Sequence, residues 1–319
     1  MKTAFSHIAI GAALACACHL ASAQNVESTV TVTQQGNGNT SYAEQYAVTT
    51  PNNGAQLTIT QIGDNNHVGG PGATTGGVIQ RNTAYGPLVA QVQQNGKGNN
   101  AGLIQENNGN AAVAADGRIT QLGNGNDAAL RQADSSYVEA VVEQSGTGNL
   151  ARIEQLSSGD AGLRSVQNGS GNQVTISQTG GSYGGPNLTQ NGDGNTASVT
   201  NYGAGAGAKI IVQTGTQNHV TAYQTLGWDQ GLQVHQTGTG NQADANLTGD
   251  AQITLIDQIG NDNLASVNQS GPTGTYPGNT ATIAQLGNSN TAIVRQVGQN
   301  YVANVSQVGS GNYTNIYQH

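Results

Sequence analysis

The side chains that build an ordinary globular core are scarce in this chain. Of its 319 residues one is Phe, one Trp and one Met, aromatics total 4%, and charged residues total 8%. A large-residue core inside a charged shell is therefore excluded as its organising principle. The only two cysteines, Cys16 and Cys18, lie within the first 23 residues. Beyond them the chain has neither a disulfide framework nor a cysteine-ligated metal available to it. Positive charge is also sparse: 9 Lys and Arg stand against 17 Asp and Glu, a formal net charge of −8, which makes nucleic acid an unexpected partner. What remains is Gly (47 residues) with abundant Gln, Asn, Thr and Ser. Such a composition buries too little apolar surface to offset chain entropy, so only a regular repeat can order it.

The N-terminal stretch places Lys2 before an apolar run from about Ile8 to Leu20 and ends in Ala21-Ser22-Ala23. That pattern predicts a secretory signal peptide over residues 1–23, cut between Ala23 and Gln24. The run is shorter than the roughly 20 residues a membrane helix needs, so no membrane span is expected in the mature chain. Without Lys2 the balance is 8 basic against 17 acidic residues, or −9. Residues 24–29 form a short N-terminal segment before the repeat.

From residue 34 to 318 one pattern recurs, Gln-x-Gly-x-x-Asn-x-(Ala/Val/Ser/Thr)-x-x-x-Gln. Its first Gln falls at Gln34, Gln61, Gln94, Gln121, Gln144, Gln167, Gln190, Gln213, Gln236, Gln258, Gln285 and Gln307, twelve copies spaced mostly by 22 or 23 residues. The Asn follows as Asn39, Asn66, Asn99, Asn126, Asn149, Asn172, Asn195, Asn218, Asn241, Asn263, Asn290 and Asn312. The second Gln is Gln45, Gln105, Gln132, Gln155, Gln178, Gln224, Gln269, Gln296 or Gln318. Asn201 and Leu247 replace it in two copies, and the second copy has no clear equivalent unless it is Gln80. Gly- and Pro-bearing insertions near 46–55, 69–87, 106–117 and 270–279 read as loops between coils, because the pattern resumes after each.

Parity within a copy decides the fold. Ala140, Val142, Gln144, Asn149, Ala151, Ile153 and Gln155 share one face of two strands, while Glu143, Arg152 and Glu154 fall on the other. Apolar residues on one parity and charge on the other mark a strand with one buried face. Lys209, two positions before the inward Ile211, is an exception. Between the strands stands Gly-x-x-Asn, whose residues tolerate φ > 0, so each copy reads strand, tight turn, strand. The predicted fold is all-β, a solenoid over residues 30–319 of about twelve strand-turn-strand copies forming two facing parallel sheets.

The Gln and Asn share the inward face, where an amide left unpartnered costs on the order of 1–3 kcal/mol. Stacking identical copies about 4.8 Å apart removes that cost, since each amide donates to one neighbour and accepts from the other. The sequence thus predicts amide ladders at the positions named above.

This motif, at 22–23 residue spacing behind a signal peptide and without later cysteines, resembles the curlin repeat of curli subunits. The resemblance covers nearly all of the mature chain. It implies a major subunit of an amyloid fibre in the biofilm matrix that also serves surface adhesion. Such a subunit passes through the periplasm to the extracellular surface and assembles there as a homopolymer. It implies as partners a nucleator subunit, an outer-membrane export pore and periplasmic chaperones. The chain departs from the family in its larger number of copies and in lacking an obvious Gly-rich export segment ahead of the repeat.

No catalytic constellation is visible, so no enzyme activity, cofactor or metal is expected: His67, His219, His235 and His319 show no zinc-ligand spacing. The Gly-x-Gly-Asn turns lack the Lys and the following helix of a phosphate loop. A second reading from another class is a monomeric secreted solenoid, acting as an adhesin or as an ice- or ligand-binding module. It requires a regular outward ladder of Thr or aromatic residues, whereas the outward positions here vary.

Overall fold

A computed structural model describes residues 28–46, 55–69, 77–81, 88–106, 115–160, 162–181, 183–203, 205, 207–274 and 277–319. Among them are 26 strands and no helix, arranged as two parallel sheets in a β-solenoid. The chain divides into two compact units, residues 1–160 and 161–319.

In the first unit one sheet contains Thr29–Gln35, Gln56–Asp64, Leu88–Lys97, Ala115–Asn124 and Glu139–Thr147 side by side. The pairing is parallel and in repeat register, so Gln34, Gln61, Gln94, Gln121 and Gln144 stand in one column. The other sheet contains Asn100–Glu106, Asp127–Ala133 and Leu150–Leu156, preceded by two interrupted strands, Thr40–Ser41 with Ala43–Tyr46 and His67–Val68 with Val78–Arg81. Strict alternation sends Leu57, Ile59, Val92, Ile119 and Val142 of one sheet and Leu103, Leu130 and Ile153 of the other into the interior. On the outside, Glu44, Arg81, Glu106 and Arg131 form a chain of ion pairs across coils, at 3.2, 3.6 and 3.3 Å. Exposed pairs contribute little stability each, but opposite charges on neighbouring coils favour this register over a slipped one.

In the second unit one sheet runs Gly162–Ser170, Pro186–Asp193, Lys209–Thr216, Gly231–Thr239, Ile253–Asn261, Thr280–Leu286 and Val302–Val308. Its partner sheet runs Gln173–Thr179, Thr196–Tyr202, His219–Thr225, Gln242–Thr248, Leu264–Ser270, Thr291–Val297 and Tyr313–Gln318. The interior again alternates, with Leu188, Ile211, Val234, Ile256 and Ile283 opposite Ile176, Val199, Ala245, Val267 and Val294.

The turn between sheets depends on glycine for two separate reasons. Gly96 has φ +133°, and a Cβ there would overlap the carbonyl oxygen of Gly123 on the next coil. Gly98 has φ +66° and open space around it, so only backbone conformation selects it.

Two of the expected loop insertions are shorter than the sequence suggests. The one placed near 69–87 contains strand Val78–Arg81, because after the break at Gly69 the chain returns to finish the second-sheet strand. The one near 106–117 ends before Ala115, where the next strand starts. The signal peptide, its cut between Ala23 and Gln24, and residues 47–54, 70–76, 82–87, 107–114 and 275–276 lie outside the described residues.

Candidate functional site

Each coil places three amides inside, and the parallel register stacks them into columns. In the first sheet the Gln Nε2 of one coil donates to the Gln Oε1 of the next. Gln34 to Gln61, Gln61 to Gln94, Gln94 to Gln121 and Gln121 to Gln144 are bonded at 2.6, 2.8, 2.8 and 2.9 Å. In the second unit the run is Gln167, Gln190, Gln213, Gln236, Gln258, Gln285 and Gln307, each bond 2.8–3.0 Å long. The second N–H is used as well: Gln121 gives it to the Asn100 carbonyl at 2.9 Å and Gln258 to that of Gln242 at 2.9 Å. Between the outermost coils these amides are buried and saturated, which turns their desolvation cost into a requirement for register.

The Asn column runs the opposite way. Asn66 Nδ2 donates back to Asn39 Oδ1, Asn99 to Asn66, Asn126 to Asn99 and Asn149 to Asn126, at 3.0–3.2 Å. From Asn195 to Asn172 through Asn218, Asn241, Asn263 and Asn290 to Asn312 the same backward bonds measure 2.9–3.1 Å. Within these runs the Oδ1 also accepts the next Asn backbone N–H, as from Asn126 to Asn99 at 3.1 Å. The second N–H of Asn126 reaches forward to the Gly146 carbonyl at 3.1 Å. The Asn therefore ties the turn glycines of successive coils together.

In the second sheet Gln45, Gln80, Gln105, Gln132 and Gln155 form a forward ladder at 2.8–3.0 Å. Gln80 is thus the second-copy member, displaced in sequence by the insertion before it. Gln269, Gln296 and Gln318 form another run, at 2.8 Å per bond. Between Gln178 and Gln269 the column fails. Asn201 is too short to span to its neighbour and Leu247 has no amide, so both amide atoms of Asn201 and of Gln224 are buried without a hydrogen bond.

One neighbour adapts to the fault. Thr254 donates its hydroxyl to Gln269 Oε1 at 2.9 Å, taking the place of the donor that Leu247 cannot supply. Lys209 occupies the position equivalent to Thr254 two coils earlier, is 1% exposed, and gives its ammonium to the carbonyls of Gly184 and Gly207 at 3.2 and 3.4 Å. Burial lowers its pKa from 10.5 to about 8. Lys209 is the inward exception that the parity rule marks.

A further amide set escapes the repeat motif. Gln230, Gln252 and Asn279 are buried where second-sheet strands return to the first sheet, with Gln230 Nε2 on the Gly249 carbonyl at 2.7 Å and Asn279 Nδ2 on that of Gly298 at 2.9 Å. Each stands six residues before a motif Gln, but Ser, Ala, Leu or Val fills that position in the first unit, so no repeat-wide signal exists.

The outermost coils leave amide acceptors open. Among the described residues nothing donates to Gln34 Oε1 or Gln45 Oε1. At the other extreme Gln307 Nε2 gives both its N–H groups within the chain, to the Thr291 carbonyl at 2.9 Å and the Thr314 hydroxyl at 3.1 Å, and Gln318 Nε2 meets the Val302 carbonyl at 3.1 Å. Asn312 Oδ1 accepts from no described residue. His219 and His235 are exposed, and among the described residues no group of three or more His, Cys, Asp or Glu side chains is placed to hold a metal ion.

No family model matches the chain, and no curated protein matches it.

Proposed function

We propose that this chain is the structural subunit of a secreted extracellular fibre of the curlin type, serving biofilm matrix and surface adhesion. It polymerises end to end by continuing its amide ladders from molecule to molecule. The observation that carries this reading is the opposed polarity of the ladders. Among the described residues the first coil leaves the Gln34 and Gln45 acceptors open and the last leaves the Asn312 acceptor open, while the donors that would complete them are held within their own chain, Gln307 on the Thr291 carbonyl and Thr314 hydroxyl and Asn39 on the Gln35 and Gly63 carbonyls, and have to turn outward at a junction. Joining last coil to first satisfies both columns. Joining like ends sets acceptor against acceptor, so growth is head to tail, a heterologous contact that does not close and yields a filament. Among the described residues no strand lies beyond Thr29–Gln35 or Val302–Val308, and these outer backbone edges act in the same direction.

The test uses backbone direction. Thr280 N donates forward to Tyr301 O, whereas Gly287 N and Gly309 N donate backward, so even-numbered residues of Val302–Val308 aim their N–H at the open edge. Ser306→Pro therefore removes an edge-facing donor and breaks no internal bond. It should cut elongation of preformed seeds at least tenfold, while Thr273→Pro, in a loop, leaves it unchanged. Equal elongation by both variants overturns growth through this edge.

A further inference from the structure

The residue just after the first turn glycine makes contacts that the repeat motif does not specify. It is Asp or Asn, with a described coil before it, at Asp64, Asn124, Asp193, Asn261 and Asn288. In all five its Oδ1 accepts the backbone N–H of the equivalent residue one coil earlier, at 2.8–3.1 Å. In the same five turns the following residue sends its own N–H back to the carbonyl of that earlier residue, at 2.8–2.9 Å. Asn37 shows both bonds: its N–H goes to Asp64 Oδ1 at 2.8 Å, and its carbonyl accepts from Asn65 N at 2.8 Å. One turn thus grips both main-chain polar groups of a residue in the turn before it. Where Lys97 or Thr216 takes the position only the second bond is made, from Gly98 to the Asp64 carbonyl at 3.0 Å and from Gln217 to the Asp193 carbonyl at 2.9 Å.

The outermost coils carry the two halves of this grip unmatched. Asn37 is exposed, and among the described residues neither its side chain nor the Gly38 N–H has a hydrogen-bond partner. Ser310, at the other extreme, is exposed, and among the described residues its N–H and carbonyl have none either. We infer that Asn37 and Gly38 grip Ser310 of the preceding subunit, with Asn37 Oδ1 accepting the Ser310 N–H and Gly38 N donating to the Ser310 carbonyl. The inference rests on the end-to-end reading and assigns the residues that hold the junction in register. Asn37 and Ser310 each stand three residues past a motif Gln, so stacking Gln34 on Gln307 brings the two turns together in the register of the internal coils. These groups are open before two subunits meet, and main-chain groups left open seek a partner. Gln307 and Asn39, in contrast, have to release bonds inside their own chain first. The grip holds backbone atoms only, so it fixes where the neighbouring chain lies and is indifferent to the side chain at position 310.

Asn37→Ala removes the acceptor, and Asn37→Asp keeps an oxygen where Asp64 and Asp193 already use one at 2.8 Å. Filaments are brought to equilibrium in a urea concentration at which the parent leaves a measurable soluble fraction, and the soluble subunit is measured after sedimentation. Asn37→Ala should raise it about fivefold, the factor that one net hydrogen bond supports, and Asn37→Asp should stay within about twofold of the parent. Urea unfolding of the soluble subunit should be the same for all three chains, because the Asn37 side chain makes no bond within its own fold. An unchanged soluble fraction for Asn37→Ala, or an equal rise for Asn37→Asp, overturns the grip and leaves end-to-end growth standing. A lower unfolding midpoint for Asn37→Ala overturns it too, by placing the side chain's partner inside the subunit. A parent that forms no filaments overturns both the grip and the end-to-end reading.

Discussion

Gln258→Glu is the sharpest probe of the dry ladder, because it changes one N–H₂ group for an oxygen at constant shape. Gln258 Oε1 accepts from Gln236 at 2.8 Å, and its Nε2 serves two acceptors, Gln285 Oε1 and the Gln242 carbonyl, each at 2.9 Å. A carboxylate keeps the first bond and turns the other two into oxygen–oxygen contacts in a fully buried column. The side chain escapes by taking a proton. Holding a carboxyl of ordinary pKa near 4.3 neutral at pH 7 costs about 3.7 kcal/mol, and the one acceptor still unserved adds about 1 kcal/mol. The folded pKa is raised above the unfolded value, so the folded state holds more protons and the variant loses stability as pH rises from about 4.3 toward its folded pKa. Relative to the parent, urea unfolding followed by circular dichroism on the freshly refolded chain should show a deficit of about 1 kcal/mol at pH 4, growing to about 5 kcal/mol at pH 7. Thr147→Glu, on an exposed turn residue, adds the same charge outside and should show almost no deficit. If both variants follow the same pH course, Gln258 is solvated and the ladder account fails.

Three other outcomes follow from the same geometry. Lys209 has its pKa lowered by burial to about 8, so between pH 8 and 10.5 the folded state holds fewer protons and the parent gains stability with rising pH, by about 3 kcal/mol in all. Lys209→Met should abolish that gain in parallel urea titrations at pH 7.5 and 9.5, and an undiminished gain rejects the buried ammonium. Leu247→Gln gives Gln224 a neighbour to donate to and should raise stability by about 1 kcal/mol, read as a higher thermal midpoint; no rise means the fault is already satisfied. Gly123→Ala drives a Cβ into the Gly146 carbonyl and should cost about 3 kcal/mol or more, against about 1 kcal/mol for Gly125→Ala, where φ is positive but space is open. Equal losses in urea unfolding would show that coil-to-coil contact is not what selects the first glycine.

Sequence alone was enough for the solenoid, because a β-strand reports its buried face at every second residue and the copies repeat it. The inward place of Gln144 beside Val142, the turn at Gly146 to Asn149, and the oddity of Lys209 all follow from parity counted along the chain. Three features did not. Gln80 could be named only as a conditional second-copy member, because an insertion breaks the motif spacing while the sheet restores it, with Gln80 paired in register to Gln45 and Gln105. The opposed donor directions of the Gln and Asn columns depend on which way each amide turns, and identical residues in identical copies carry no sign of that choice. The failed stretch at Asn201 and Leu247 was legible as missing glutamines, yet the hydroxyl that Thr254 gives to Gln269 was not. That side chain comes from the other sheet of the coil, and only the closing of two strands onto one interior brings it within bonding distance.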